Sequence, residues 1–184
     1  MKKYSTILAD PPWKLSSMHH DKWASRLEDK YPTMTTDELC DMGISLRPYL
    51  NDDCSLFLWA THTTLPDALQ IMRKWGFKYH CLITWDKGSG WSHYGFHRKT
   101  EMVLYGYRGK ININQRGKYI PTLISERKTT HSVKPNILYQ WLDSNTQRPR
   151  LELFARQKVE GWDSIGFDID GCDIRKSLDK LVTL

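Results

Sequence analysis

Short apolar runs alternate with amphipathic stretches along this chain. Ser5 to Ala9 (STILA) has the length and composition of a buried strand. It stops at Asp10-Pro11-Pro12, because proline cannot donate to a ladder and restricts the residue before it. Lys14 to Tyr31 is polar, lacks a period and reads as a loop. Thr35-Thr36-Asp37-Glu38-Leu39 carries an N-cap followed by acids, so a short helix starts there. Ser55 to Ala60 is another strand-length apolar run. Thr64 to Trp75 places Leu65, Ala68, Leu69, Met72 and Trp75 on one helical face, closed by Gly76.

Tyr79 to Trp85 predicts a strand, Lys87 to His97 a Gly- and aromatic-rich loop, and Glu101 to Tyr107 a further strand. Arg108 to Lys128 is basic and turn-rich, with no helical stripe. Pro135 to Asp143 repeats apolar residues at helical spacing (Ile137, Leu138, Trp141, Leu142), Arg150 to Ala155 is strand-like, and Ser164 to Ile169 reads as the last strand. Strands alternating with helices predict an α/β fold with a largely parallel sheet. At 184 residues the expectation is one domain, 1–184, with recognition loops at about 14–31 and 87–128.

Composition narrows the function. Twenty-seven Lys and Arg against 21 Asp and Glu give a net charge of +6, a mild basic excess that suits a polyanionic partner or a solvated basic surface. Eight Trp and nine Tyr exceed what a core of this size needs and leave rings free to stack on flat ligands. Cys40, Cys54, Cys81 and Cys172 are scattered without C-x-x-C spacing, so they read as reduced thiols and no metal site is expected. The first apolar run is too short for a signal sequence and no run is long enough for a membrane span, so a cytoplasmic protein is expected.

The stretch Asp10-Pro11-Pro12-Trp13 carries the chemistry. In a parallel α/β sheet, ligands bind beyond the carboxyl ends of the strands, where this turn falls. Prolines lack an N–H and fix φ, so the turn offers oxygen acceptors in a rigid frame. A carboxylate and a neighbouring carbonyl can hold both hydrogens of an –NH2 group, and an indole can stack on the ring that carries it. Holding both hydrogens favours a pyramidal nitrogen with a free lone pair, able to attack an electrophilic methyl group. The carboxylate then stabilises the positive charge that grows on nitrogen. The plain alternative is a strand-ending turn with a buried tryptophan.

Several blocks in one order resemble the adenine-N6 methyltransferases named after the seventy-kilodalton catalytic subunit of the eukaryotic mRNA adenosine methyltransferase, a family with many short bacterial and phage members. The blocks are ILADPPW (7–13), YPTMTTDEL (31–39), LFLWATHTTLPDALQIMRKWGF (56–77), ITWDK (83–87), RKTEMVLYGYRG (98–109), HSVKP (131–135) and LELFARQKVEGWDSIGFDID (151–170). The resemblance implies a Rossmann-like methyltransferase in permuted order, catalytic motif first and cofactor motif last, using S-adenosylmethionine. It implies that Asp10 and Pro11 hold the target amine, that Pro12 completes the motif and Trp13 lines the base pocket, and that Tyr31, Trp59 and Trp85 lie near the target base. Trp59 and Trp85 read equally as core tryptophans.

For the cofactor, the residues point to His131, Ser132, Lys134 and Pro135, where a helix opens with charge at its N-terminus. They point also to Phe154 over an adenine ring, Arg156 toward the sugar or carboxylate, and Asp168 toward ribose hydroxyls, with Glu152, Phe167 and Asp10 in the same cofactor-binding set. The family usually has Asn followed by Glu or Gln where this chain has Phe167-Asp168. The eukaryotic relatives use a segment upstream of the catalytic strand for the cofactor's adenine; as read, this chain starts too late for it, leaving adenine to the C-terminal block or to a partner chain. There is no G-x-G-x-x-G loop.

Adenine in a duplex must be flipped out to be reached. Lys14, His19, His20 and Lys22, and the loop from Trp91 to Lys99 with Tyr94, Phe96, His97, Arg98 and Lys99, interleave basic and aromatic residues as unstacked bases and phosphates require. Arg116, Lys118, Arg127 and Lys128 form a second candidate surface. The expected function is adenine-N6 methylation of DNA, with RNA methylation, a catalytically silent nucleic-acid-binding subunit, or methylation of a small amine as alternatives. A homodimer would give so small a chain a better grip on its strand.

Overall fold

Thr35 and Glu38 close a capping box: the Thr35 hydroxyl accepts from the Glu38 N–H at 3.2 Å while the Glu38 carboxylate accepts from the Thr35 N–H at 2.8 Å. This reciprocal pair starts helix α1 (Thr36–Leu46) where the sequence predicts it. The computed structural model describes residues 2–14, 32–93, 95–114, 121–127 and 134–181, except the side chains of Trp91 and His93. The strands are β1 (Tyr4–Ala9), β2 (Leu50–Ala60), β3 (Lys78–His93), β4 (Phe96–Arg108), β5 (Leu123–Ser125), β6 (Arg150–Leu153) and β7 (Asp163–Ile165). The remaining helices are α2 (Leu65–Lys74), α3 (Asn136–Asn145), α4 (Phe167–Asp170) and α5 (Ile174–Lys180).

All seven strands share one sheet in the order β5-β3-β4-β2-β1-β6-β7. The pairs β1–β2, β1–β6, β6–β7 and β3–β5 are parallel, whereas β4 runs antiparallel to both β2 and β3. The period of two along each strand divides the core between the faces. Ile7, Leu56, Leu58 and Leu151 pack under α1, α2 and α5 with Leu39, Met42, Ile71 and Leu178. Leu8, Phe57, Trp59 and Val103 pack on the other face with Leu138, Leu142 and Trp162. Because both faces are covered, Cys54 to Ala60 is buried throughout, which is why it reads as an unbroken apolar run. The result is a three-layer, Rossmann-like α/β fold.

Four expectations are corrected. The Lys87 to His97 loop is instead the outer half of a β3–β4 ribbon, paired through Trp91↔Arg98 and Ser92↔His97 and turned at Gly95 (φ 78°). Its Gly- and Ser-rich composition hid it: at Gly90 the strands approach so closely that a Cβ would stand 2.2 Å from the Arg98 carbonyl oxygen. The turn-rich segment contains β5, three residues that pair with Thr84 to Asp86. The last strand stops at Ile165, and Phe167 and Asp168 open α4. Finally, α5 has no counterpart among the expected elements. It is fixed by burial of Ile174 and Leu178 and by a 2.7 Å bond from the Tyr49 hydroxyl to the Leu178 carbonyl.

Among the described residues no helix is long and apolar enough to cross a membrane, and no cluster of His, Cys, Asp or Glu could hold a metal ion. The four cysteines are free; burial pushes the Cys54 thiol up to about 12, which leaves it unreactive.

Candidate active site

The register sets several strand ends on one rim. Ala9 pairs with Leu58 and Leu153, Leu153 with Ile165, and Trp85 with Glu101. Asp10, Phe154 and Phe167 therefore leave the sheet at the same edge, joined by Glu101 because β4 enters the sheet where its neighbours leave. From β1 the chain builds the sheet outward on one side through β2, and after β5 it crosses back to lay β6 and β7 on the other side of β1; the crevice at such a switch point is where α/β sheets bind ligands. Here it holds a cavity of about 340 Å³ lined by Asp10, Pro11, Pro12 and Trp13 together with Trp85, Glu101, Lys134, Phe154, Arg156, Phe167 and Asp168.

The proline turn is tied down by its own backbone. The Trp13 N–H donates to the Pro11 carbonyl at 2.9 Å, and Met34 and Trp13 form a parallel bridge in which the Met34 N–H donates to Pro12 at 2.8 Å. Each proline carbonyl thus accepts one backbone N–H and keeps one lone pair, and Pro11 is the one next to Asp10. Competing donors are more numerous than the absence of proline N–H groups suggests.

A chain of alternating charges runs along the cavity wall. Lys134 Nζ stands 3.1 Å from Asp10 Oδ1 and 3.0 Å from Glu101 Oε2; Lys87 Nζ reaches Glu101 Oε1 at 3.2 Å. The Lys134 ammonium also lies 4.3 Å from the Trp59 ring centroid, a cation–π contact that fixes its approach. Burial works to raise the Glu101 carboxyl, but the two ammonium groups overcome it and hold it below its ordinary value. Burial likewise works to lower Lys134, and the Asp10 and Glu101 carboxylates outweigh it and raise it. Lys134 and Glu101 therefore both stay charged.

At the other end the backbone is strained. Phe154 has φ 61°, a conformation costly for a bulky side chain, and this turns the chain out of β6 beside the cavity. Gly166 makes the turn feasible, since a Cβ there would meet the Ala155 carbonyl oxygen at 2.5 Å.

Glu152 sits one residue before the end of β6 and lies beneath the site rather than in the cavity lining. The Tyr139 hydroxyl donates to its Oε1 at 2.7 Å, and its buried Oε2 has no hydrogen-bond partner among the described residues. Burial pushes its carboxyl up to about 7, helped by the Asp10 charge and opposed by the Tyr139 bond. A raised carboxyl favours folding fully below the unfolded value of 4.5, and that contribution is lost as pH rises through about 7. Glu152→Gln should therefore exceed the wild type at pH 8 by on the order of 2–3 kcal/mol, the gap closing toward pH 4. Thermal melts across this range test it; a variant no more stable than wild type at pH 8 refutes the assignment.

Other sequence-predicted residues fall elsewhere. Tyr31, His131 and Ser132, and His19, His20, Lys22, Tyr94, Arg116, Lys118 and Lys128, lie outside the described residues. Trp59 is fully buried and contacts Trp85 edge-on at 5.9 Å, beneath Lys134 rather than open to a base. Trp85 reaches the cavity wall while its indole N–H donates to the Glu126 carbonyl at 2.8 Å. His97, Arg98 and Lys99 belong to the ribbon, outside the cavity lining; Arg98 donates to the Thr63 hydroxyl at 3.0 Å.

Pro135 is the N-cap of α3, but the amides expected to receive a ligand carboxylate are taken. The N–H groups of Asn136 and Ile137 donate to the two oxygens of Glu126 at 2.9 and 3.0 Å. An internal carboxylate already complements that helix end, which leaves Lys134 as the cationic group. Sequence reasoning missed Glu101, Glu126 and Tyr139, because each acts through a partner 10 to 33 positions away.

This arrangement agrees with what the chain is similar to. The MT-A70 family profile matches residues 4–168. The chain is 31% identical to the Type II methyltransferase M.MunI from Mycoplasma sp, covering 91% of this chain and 78% of that protein. It is 28% identical to the N(6)-adenosine-methyltransferase catalytic subunit METTL3 of Homo sapiens and to the METTL3 subunit of Danio rerio, across 92% of this chain but only 29% and 28% of theirs. With the proline turn, the charge chain and most of the strand-end cavity lining inside the matched span, the chain belongs to the MT-A70 family.

Proposed function

We propose that this protein transfers a methyl group from S-adenosylmethionine to the exocyclic N6 amine of adenine in DNA. The observation that carries the reading is the Asp10 carboxylate, at the cavity wall beside the Lys134 ammonium and the rigid Pro11 carbonyl. The cavity has the size of a small-molecule site, and its donor set fits the cofactor. Lys134 suits a carboxylate, Arg156 and Asp168 suit a sugar, and Phe154 and Phe167 offer ring faces.

When bound, S-adenosylmethionine supplies a methyl carbon made electrophilic by its sulfonium. Asp10 Oδ and the free lone pair of the Pro11 carbonyl accept the two N–H bonds of adenine and draw the nitrogen toward a pyramidal geometry. The carboxylate then offsets the positive charge that develops on that nitrogen, in a site lined on its apolar side by Trp13 and Trp85. Lys134 holds Asp10 in its orientation. The β3–β4 ribbon, with Phe96 exposed at its end and His97, Arg98 and Lys99 behind it, serves to grip the strand, and a second copy of the chain would double that grip.

The Type II methyltransferase relative supports DNA as the substrate. Incubation of the protein and labelled cofactor with DNA and RNA oligonucleotides, then digestion and mass spectrometry, should return N6-methyldeoxyadenosine. Label in RNA alone would replace DNA with RNA; label in neither would leave a silent binding subunit.

A further inference from the structure

The cavity continues beyond the family match. That match ends at residue 168, yet Cys172, Asp173, Ile174 and Arg175 line the same space as Asp10 and Lys134. This wall is firmly built. Ile174 and Leu178 are buried in the core beneath it, and the Ser177 hydroxyl donates to the Asp170 carboxylate at 2.9 Å. Beside it, Phe167 lines the cavity while 47% exposed and belongs to neither core cluster, so its ring is open to a ligand in that space. Phe167 also departs from the polar residue usual in the family.

We propose that Phe167 and the segment Cys172–Arg175 form the subsite for the adenine ring of the cofactor. The inference rests on the cofactor reading above and assigns the end of the cavity away from Lys134. The Phe167 ring supplies a stacking face and Ile174 an apolar contact. Asp173 and Arg175 supply an edge. The Asp173 carboxylate accepts from the Arg175 N–H at 2.9 Å and Nε at 3.1 Å on Oδ1, and from Nη2 at 3.4 Å on Oδ2, which still leaves lone pairs on the acid and N–H donors on the guanidinium, side by side. An acceptor next to a donor is the complement of the N6 amine and N1 of adenine. Inosine, with an oxygen at position 6 and a hydrogen on N1, presents the reverse.

Titration calorimetry with S-adenosylhomocysteine, beside fluorescence anisotropy with an oligonucleotide, tests the assignment without reference to turnover. Phe167→Ala should bind S-adenosylhomocysteine about tenfold more weakly, with Phe167→Tyr close to wild type and oligonucleotide affinity unchanged. Wild-type protein should bind S-inosylhomocysteine at least about tenfold more weakly than the adenosyl compound. Phe167 bears on neither sheet face, so circular dichroism of the Ala variant should match wild type. Unchanged S-adenosylhomocysteine affinity in Phe167→Ala overturns the inference, and a loss confined to the oligonucleotide moves Phe167 to the target base. Equal affinity for the inosyl and adenosyl compounds removes Asp173 and Arg175 from the subsite. Wild-type protein that fails to bind S-adenosylhomocysteine defeats the cofactor reading itself, and the subsite with it.

Discussion

Asp10→Asn should lower methyl transfer to adenine by about 10²- to 10³-fold, the scale of removing one preorganised electrostatic group from an active site. Asn keeps the shape and one acceptor oxygen but offers no negative charge to a nitrogen becoming positive. The loss should fall on kcat, because charge develops only in the transition state. Folding should survive: the side chain is one-quarter exposed, and Lys134 retains Glu101 as its partner. Mass spectrometry of digested nucleic acid gives the rate, and calorimetry with S-adenosylhomocysteine shows whether the cavity persists. A variant within a few-fold of wild type removes Asp10 from the chemistry. A variant that fails to fold makes the residue structural.

Lys134→Met should be damaging in two separable ways. With the ammonium gone, Asp10 and Glu101 face one another across a partly dry wall, and among the described residues Lys87 alone remains in an ion pair with Glu101. Removing one member of a buried ionic group costs about 3 kcal/mol at the low end, appropriate here because all three side chains keep some contact with water. Thermal melting should show this at neutral pH. Affinity for S-adenosylhomocysteine should also fall, by about 10- to 100-fold, as the cation facing its carboxylate is lost. Lys134→Arg should regain part of the stability and little of the affinity, since a forked guanidinium does not fit a point-charge site 4.3 Å from the Trp59 centroid. Unchanged affinity in Lys134→Met would transfer the carboxylate to another group.

Legibility in the sequence followed the range of the interaction. The helices starting at Thr36 and Leu65 announce themselves through a capping box and an apolar stripe, both confined to neighbouring residues. The proline turn is legible for the same reason, since Asp10 to Trp13 is contiguous and its place after β1 follows from the strand that precedes it. The outer ribbon was not, because Gly90 and Gly95 weaken strand propensity and only the facing residues reveal the pairing. Nor was the charge chain, since Lys87, Glu101 and Lys134 meet only once β3, β4 and the start of α3 are assembled. Glu126 illustrates the cost of reading a helix end alone: Asn136 and Ile137 offer free amides on paper, and a residue ten positions earlier consumes them.

The direction of β4 decides what kind of enzyme this sheet can be. From Met102 to Arg108 it lies against β2, a length of roughly 20 Å. Because it runs against its neighbours, the β3–β4 turn emerges above Asp10; run the other way, the same hairpin would leave the opposite rim, a full strand length from the reacting nitrogen. On the proposed reading, a polymer held by Phe96 and Arg98 would be delivered to the mouth of the crevice by the ribbon itself. One reversed strand makes the hand and the tool neighbours.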